Sequence, residues 1–329
     1  MKMKTRLRNF IPSRVNSTTV SRAAHVLTAF VIGAFGLIAT AHTLEVKFHP
    51  VADGVYAYIG DKGARSIENE GLNANIGLIV TGNGSLLIDS GATFQSARQI
   101  HEAVRKVTAQ PVKWVINTGG QDHRWLGNGY FRQQGAEVIA HANAKADMQA
   151  RGGDHLAGLQ ATLKELADGT LPTLPTRFIS ENDARLELGG TVIELKHRGG
   201  AHTPGDMMVW LPQESVLFTG DVVYVDRMLG VIPVSNTRNW LATFNVIAQL
   251  KPRFIVPGHG NVTDQATATA DTAAYLLGVR AHMKKSVDDG VDMSAAVKSF
   301  DAQPYMRLLN AAELLPGNAS RVYLELERE

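Results

Sequence analysis

The stretch "INTGGQDHRWLGN", Ile116–Asn128, decides how this chain is read. An apolar β-like run, "VKWVIN", ends in Asn117-Thr118; two glycines follow, then Gln121, then Asp122-His123, then Leu-Gly-Asn. Small residues let the backbone turn tightly, so neighbouring carboxylate and imidazole groups can converge on one ion. The frame is that of a metal-binding loop. Where such a loop should carry two more histidines, it carries Gly119 and Gly120.

Working outward, three further positions share this setting. His202 sits in the Gly-rich turn "GGAHTPGD" after the run "TVIELKH"; Asp221 ends "LFTGD"; His259 lies in "VPGHGN" after "RFIV". Each belongs to a loop following an apolar β run, which is where rigid scaffolds display their sites. Two or three imidazoles with two carboxylates suit zinc, and less specifically iron or manganese. The chain has no cysteine, so any ion must be held by His, Asp or Glu. The other histidines have plainer explanations. His101 and His282 are expected as solvated side chains on helices, His197 as a structural residue, and His141 and His155 as non-ligands.

The 329 residues carry a formal net charge of +2, and no Lys/Arg-rich block lies in the folded part, so nucleic acid is not an expected partner. The first residues differ in kind. Lys2, Lys4, Arg6, Arg8, Arg14 and Arg22 form a basic leader, followed by "VLTAFVIGAFGLIATA" (Val26–Ala41), apolar and ending small-x-small. That pattern predicts a signal peptide over 1–41, and hence a periplasmic or secreted protein without stable membrane insertion after cleavage. An uncleaved anchor is the competing reading, but the run falls short of the ~20 apolar residues that span a bilayer. There is no Arg-Arg pair to support twin-arginine export.

Across 42–263, β runs and helical segments come in two successive sets, one from "GVYAYIG" to "VKWVIN" and a second that opens at "AEVIAH" and runs to "RFIVPGHG". Two sheets face to face with helices outside, an α/β layer architecture, follow from that order. Residues 264–329 read as an appended helical region, although "ASRVYLELERE" alternates like a strand as well.

Taken together these motifs resemble the metallo-β-lactamase superfamily over roughly Glu45 to Thr263. The resemblance rests on Asp122-His123 for the end of its His-x-His-x-Asp-His loop, His202 for its Gly-His-Thr turn, Asp221 for its Asp after a strand, and His259 for its Gly-His-Gly turn. "SLLIDSG" matches a strand beneath the family's site, with Asp89 as a supporting carboxylate. The resemblance implies a four-layer αβ/βα sandwich with one or two metal ions at the sheet edges. With the first two histidines missing, one ion keeps only His202 and Asp221. The other keeps Asp122, His123, Asp221 and His259. The expectation is therefore a single zinc, with iron or manganese as alternatives, and His202 as a weak fifth ligand or general acid/base. Asp122 and His202 are the expected catalytic residues. The reaction implied is attack of metal-activated water on an ester, thioester or amide carbonyl of a small-molecule substrate. Two alternatives stand beside it: a non-catalytic binding or accessory protein on the same scaffold, and oxidative chemistry with iron.

Overall fold

The structure, a computed structural model, describes residues 44–329. The expected signal peptide lies outside the described residues. Leu44–Glu329 form one compact unit.

In chain order the first set of elements is β1 (His49–Ala52), β2 (Val55–Tyr58), β3 (Ile76–Thr81), β4 (Gly84–Ile88), α1 (Phe94–Val107), β5 (Val112–Ile116), α2 (Asp122–Trp125), α3 (Asn128–Gln133), β6 (Glu137–His141), α4 (Asn143–Leu163) and β7 (Arg177–Ile179). The second is β8 (Asp183–Leu188), β9 (Thr191–His197), β10 (Met207–Leu211), β11 (Val216–Tyr224), α5 (Thr237–Leu250) and β12 (Phe254–His259). Then come α6 (Gln265–Ala268), α7 (Ala274–Asp288), α8 (Met293–Ser299) and α9 (Ala311–Leu326).

Strands β1 to β7 form one sheet in sequence order, antiparallel as far as β4 and parallel from there, so "AEVIAH" (β6) closes the first set instead of opening the second. The second sheet runs β12-β11-β10-β9-β8, with only β11 and β12 parallel. Strand alternation makes the layers. In β4, Leu86 and Ile88 point into a core shared between the sheets, while Leu87 points outward under α1. In β11, Val216 and Phe218 enter the same central core and Leu217 faces the helices of the other side. Strands apolar on both faces need cover on both, which α1 and α3 give one sheet and α5, α7 and α9 the other. The result is the expected four-layer sandwich.

Local chemistry fixes the helix starts. Thr93 and Ser96 form a reciprocal capping box at the head of α1, and Asn236 caps α5. The C-terminal helices share one core with Val222, Tyr224 and Trp240. Thr272 clasps the end of β11, its hydroxyl accepting from the Tyr224 amide at 3.0 Å and donating to the Tyr224 carbonyl at 2.6 Å. The segment that reads as strand or helix is helix: Leu315, Ala319, Val322 and Leu326 bury one face of α9, and Leu324 is exposed. His101 is buried, not solvated, because its face of α1 packs on α3, where Nδ1 lies 3.0 Å from the Tyr130 hydroxyl.

Candidate metal centre

The strand ends converge as the sequence reading requires, with differences in detail. Asp122-His123 open the short helix α2 instead of lying in an irregular turn. Asp221 lies inside β11, not past its end, because the register with β12 shifts on both sides of Gly220 and lets the strand continue to Tyr224. That register sets Tyr224 beside His259, and their rings stack 4.7 Å apart.

Three of the expected residues come together. Nitrogen or oxygen atoms of His123, Asp221 and His259 all lie within 4.8 Å of one another, and all three side chains are buried. His123 Nε2 is 3.1 Å from Asp221 Oδ2, and His259 Nε2 is 3.3 Å from Asp221 Oδ1. Two others stand apart from that cluster. His202 donates through Nδ1 to the Gly230 carbonyl at 2.8 Å and packs its ring 5.6 Å from Trp240. Asp122 turns to Arg65, whose guanidinium grips both carboxylate oxygens at 2.7 Å.

The His259 ring is fixed from behind. Its Nδ1 donates to the Asn73 carbonyl at 2.6 Å, and Asn75 clamps the turn by donating to the carbonyls of Pro257 and Gly260. A buried cation lies under the cluster. Arg124 bridges Asp89, at 2.9 Å, and Asp221, with which it forms a very close pair. Asp89 adopts a left-handed backbone, φ 68°, unusual for a non-glycine residue, and also accepts from the Thr118 amide at 2.7 Å. Gly258 allows Arg124 to reach Asp221, since a Cβ there would collide with the guanidinium.

Electrostatics decide whether an ion suits the cluster. Burial pushes His259 down to about 3, and Asp221 opposes this only in part. Burial alone would raise Asp221, yet Arg124 and then His123 hold it well below the usual carboxylate range. His259 is thus neutral near pH 7. With its one hydrogen on Nδ1, its Nε2 lone pair faces a charged carboxylate oxygen. Two acceptors face to face repel unless a cation stands between them. The charge balance agrees: Asp89, Asp122 and Asp221 have only Arg65 and Arg124 as guanidinium partners. The donor set fits a divalent ion.

The Metallo-beta-lactamase superfamily model matches residues 69–259, more than half of the chain. The chain belongs to the metallo-β-lactamase superfamily. Among its relatives, a metallo-beta-lactamase type 2 of Elizabethkingia meningoseptica is 23% identical over 71% of this chain and 85% of its own length. One from Bacteroides fragilis is also 23% identical, over 66% and 80%. Among solved structures, a metallo-beta-lactamase from Pontibacter korlensis superposes with a TM-score of 0.54, at 21% identity, covering 68% of this chain and 95% of that one. The superfamily fold is shared.

Within the superfamily's His-x-His-x-Asp-His frame, counting back from Asp122 puts Thr118 and Gly120 at the two histidine positions; this corrects the reading of Gly119 and Gly120. The space those side chains would use is filled by other groups. Thr118 turns its hydroxyl to Asp89 at 2.8 Å. A Cβ on Gly120 would meet Asp147, and the neighbouring Gly119 lies close against the Asp206 carboxyl. Thr203 closes the gap by accepting from the Gly120 amide at 3.0 Å and pairing closely with Asp206. Burial, aided by the charge on Asp221, pushes the Asp206 carboxyl up to about 8.

Sequence reasoning missed Arg65, the bridging role of Arg124, Asp206 and the Asn73 carbonyl. Asn73 and Asn75 fall in the polar loop "ENEGLNAN" between β2 and β3. Trp125 is core: its indole donates to the Gly120 carbonyl at 3.0 Å. Among the described residues no helix is long and apolar enough to cross a membrane.

Proposed function

We propose that this chain is an exported metal-dependent hydrolase acting on the ester, thioester or amide carbonyl of a small molecule, with a single ion held by His123, Asp221 and His259. The observation that carries the reading is the facing of neutral imidazole and carboxylate acceptors in one buried cluster. Superfamily membership supports the reaction class. Zinc bound there supplies a Lewis acid for the carbonyl and lowers the pKa of water from near 16 to about 7. Arg124 holds Asp221 in place, and the Asn73 carbonyl fixes the His259 tautomer so that Nε2 faces inward. Burial pushes His202 down to about 4, so it is neutral near pH 7, and with Nδ1 donating to the Gly230 carbonyl its Nε2 serves as a hydrogen-bond acceptor rather than a strong base. Asp122 serves by orienting His123.

Metal analysis tests this. Purified protein reconstituted with zinc should carry about one ion per chain, and His259→Ala should lose it. Two tightly held ions, or none under zinc-replete conditions, contradict the proposal. A second reading has its own observation: Arg65 and Arg124 already give Asp122 and Asp221 a cation each, as a retired site used only for binding would. Uniform inactivity of fully metallated protein against thioester, lactone, lactam and phosphoester substrates would favour that reading.

A further inference from the structure

The Asp122 carboxylate is held on both oxygens without an ion. Arg65 donates Nη1 to Oδ2 and Nη2 to Oδ1, each at 2.7 Å. Oδ1 also accepts the His123 amide at 2.7 Å and lies 3.2 Å from His123 Nδ1. Three donors already face Oδ1 and one guanidinium prong caps Oδ2, so an ion would have to compete with Arg65 for either oxygen. The two-pronged guanidinium grip is the strongest of such pairings and sets the plane of the carboxylate as well as its charge.

Arg65 is placed by its own loop. The Asn69 side chain donates to the Ala64 carbonyl at 2.8 Å and accepts from the Ser66 amide at 3.0 Å, so the turn carrying Arg65 is braced on both sides. The Arg65 side chain is only 20% exposed, so its grip on Asp122 is largely shielded from water. With Asp122 accepting, Nδ1 of His123 carries the hydrogen, and Nε2 presents its lone pair toward Asp221.

We propose that Arg65 withdraws Asp122 from the ligand set, converting it from a metal ligand into the carboxylate that positions His123, and so keeps one coordination position of the ion open. This rests on the metal site proposed above and deepens it. Four protein ligands would complete a tetrahedral sphere, as structural zinc sites do, whereas three leave the open position that substrate or water needs. The Asp122–His123 pair then has the form of a carboxylate backing a metal-bound imidazole. Arg65 is a positioning residue: loss of its grip restores a fourth ligand and closes the site.

Zinc affinity measured against a competing chelator, with the visible spectrum of the cobalt(II)-substituted full chain, tests this in wild type, Arg65→Gln, Asp122→Asn and His259→Ala. Asp122→Asn should keep its ion, with affinity weakened about 10–100-fold, the usual cost of losing a supporting partner. His259→Ala should lose it altogether. Arg65→Gln should bind zinc at least about tenfold more tightly as Asp122 joins the ion, an effect of about 1.4 kcal/mol, and should change the cobalt spectrum. Arg65→Lys, which keeps the charge without the fork, should shift the same way by less, and stands in if Arg65→Gln does not fold. Zinc loss in Asp122→Asn as complete as in His259→Ala overturns the inference while leaving the metal site standing. So does unchanged affinity and spectrum on replacing Arg65. Wild-type protein that binds no zinc overturns both.

Discussion

The two halves of the site have diverged in opposite ways. Around His123, Asp221 and His259, side chains face one another as acceptors in need of a cation. Around Thr118, Gly119 and Gly120, the polar groups already satisfy one another: Thr203 with Asp206 and the Gly120 amide, Thr118 with Asp89. The contrast teaches that the half without the two histidines is no empty socket: hydrogen-bonded groups fill it, while the other half leaves acceptors facing one another.

The largest expected effect comes from the cation shared beneath both halves. Arg124→Met leaves Asp89 and Asp221 buried without their guanidinium, and should destabilise the fold by about 3–5 kcal/mol in chemical denaturation. Added zinc should recover part of that loss through Asp221. A loss below ~1 kcal/mol would mean that the bridge contributes little. Next, Thr118→His combined with Gly120→His asks whether the vacated half can be refilled. Asp147 and Thr203 occupy the space beside Gly120, so the double variant should lose about 1–3 kcal/mol to overpacking and still bind one ion per chain. Two ions by metal analysis would show that only the side chains, not the room for them, had gone.

The smallest effect concerns Asp206. Its folded-state carboxyl is raised to about 8, above the ordinary value near 4, so between those limits the folded chain keeps a proton that the unfolded chain has released. Stability therefore falls as pH rises through that window, by at most ~1.4 kcal/mol per pH unit from this one group. Asp206→Asn should flatten the decline between pH 6 and 7, read as denaturation midpoints. An unchanged slope would place the proton elsewhere.

The layer order was legible because short continuous apolar runs such as "SLLID" and "SVLFTGD", bounded by turn residues, mark strands covered on both faces. The positions of His123, Asp221 and His259 were legible because acids and imidazoles after apolar runs have few other uses. What sequence could not supply was pairing across distance. Arg65 lies in a polar loop 57 residues before Asp122, and nothing local distinguishes it from a solvated arginine. His101 misled for the same reason, since its burial depends on Tyr130 and Phe131 arriving from α3. Asp221 was set past its strand because "TGD" reads as a turn, whereas the register shift at Gly220 extends pairing through it.

The clasp of Thr272 on Tyr224 ties the tail of the chain to the ring stacked on His259. A polypeptide cut just after the last strand would forfeit that fastening and bare the aromatic seam around Trp240. Anyone trimming or tagging this protein should spare everything up to the end of α9 and attach cargo beyond it.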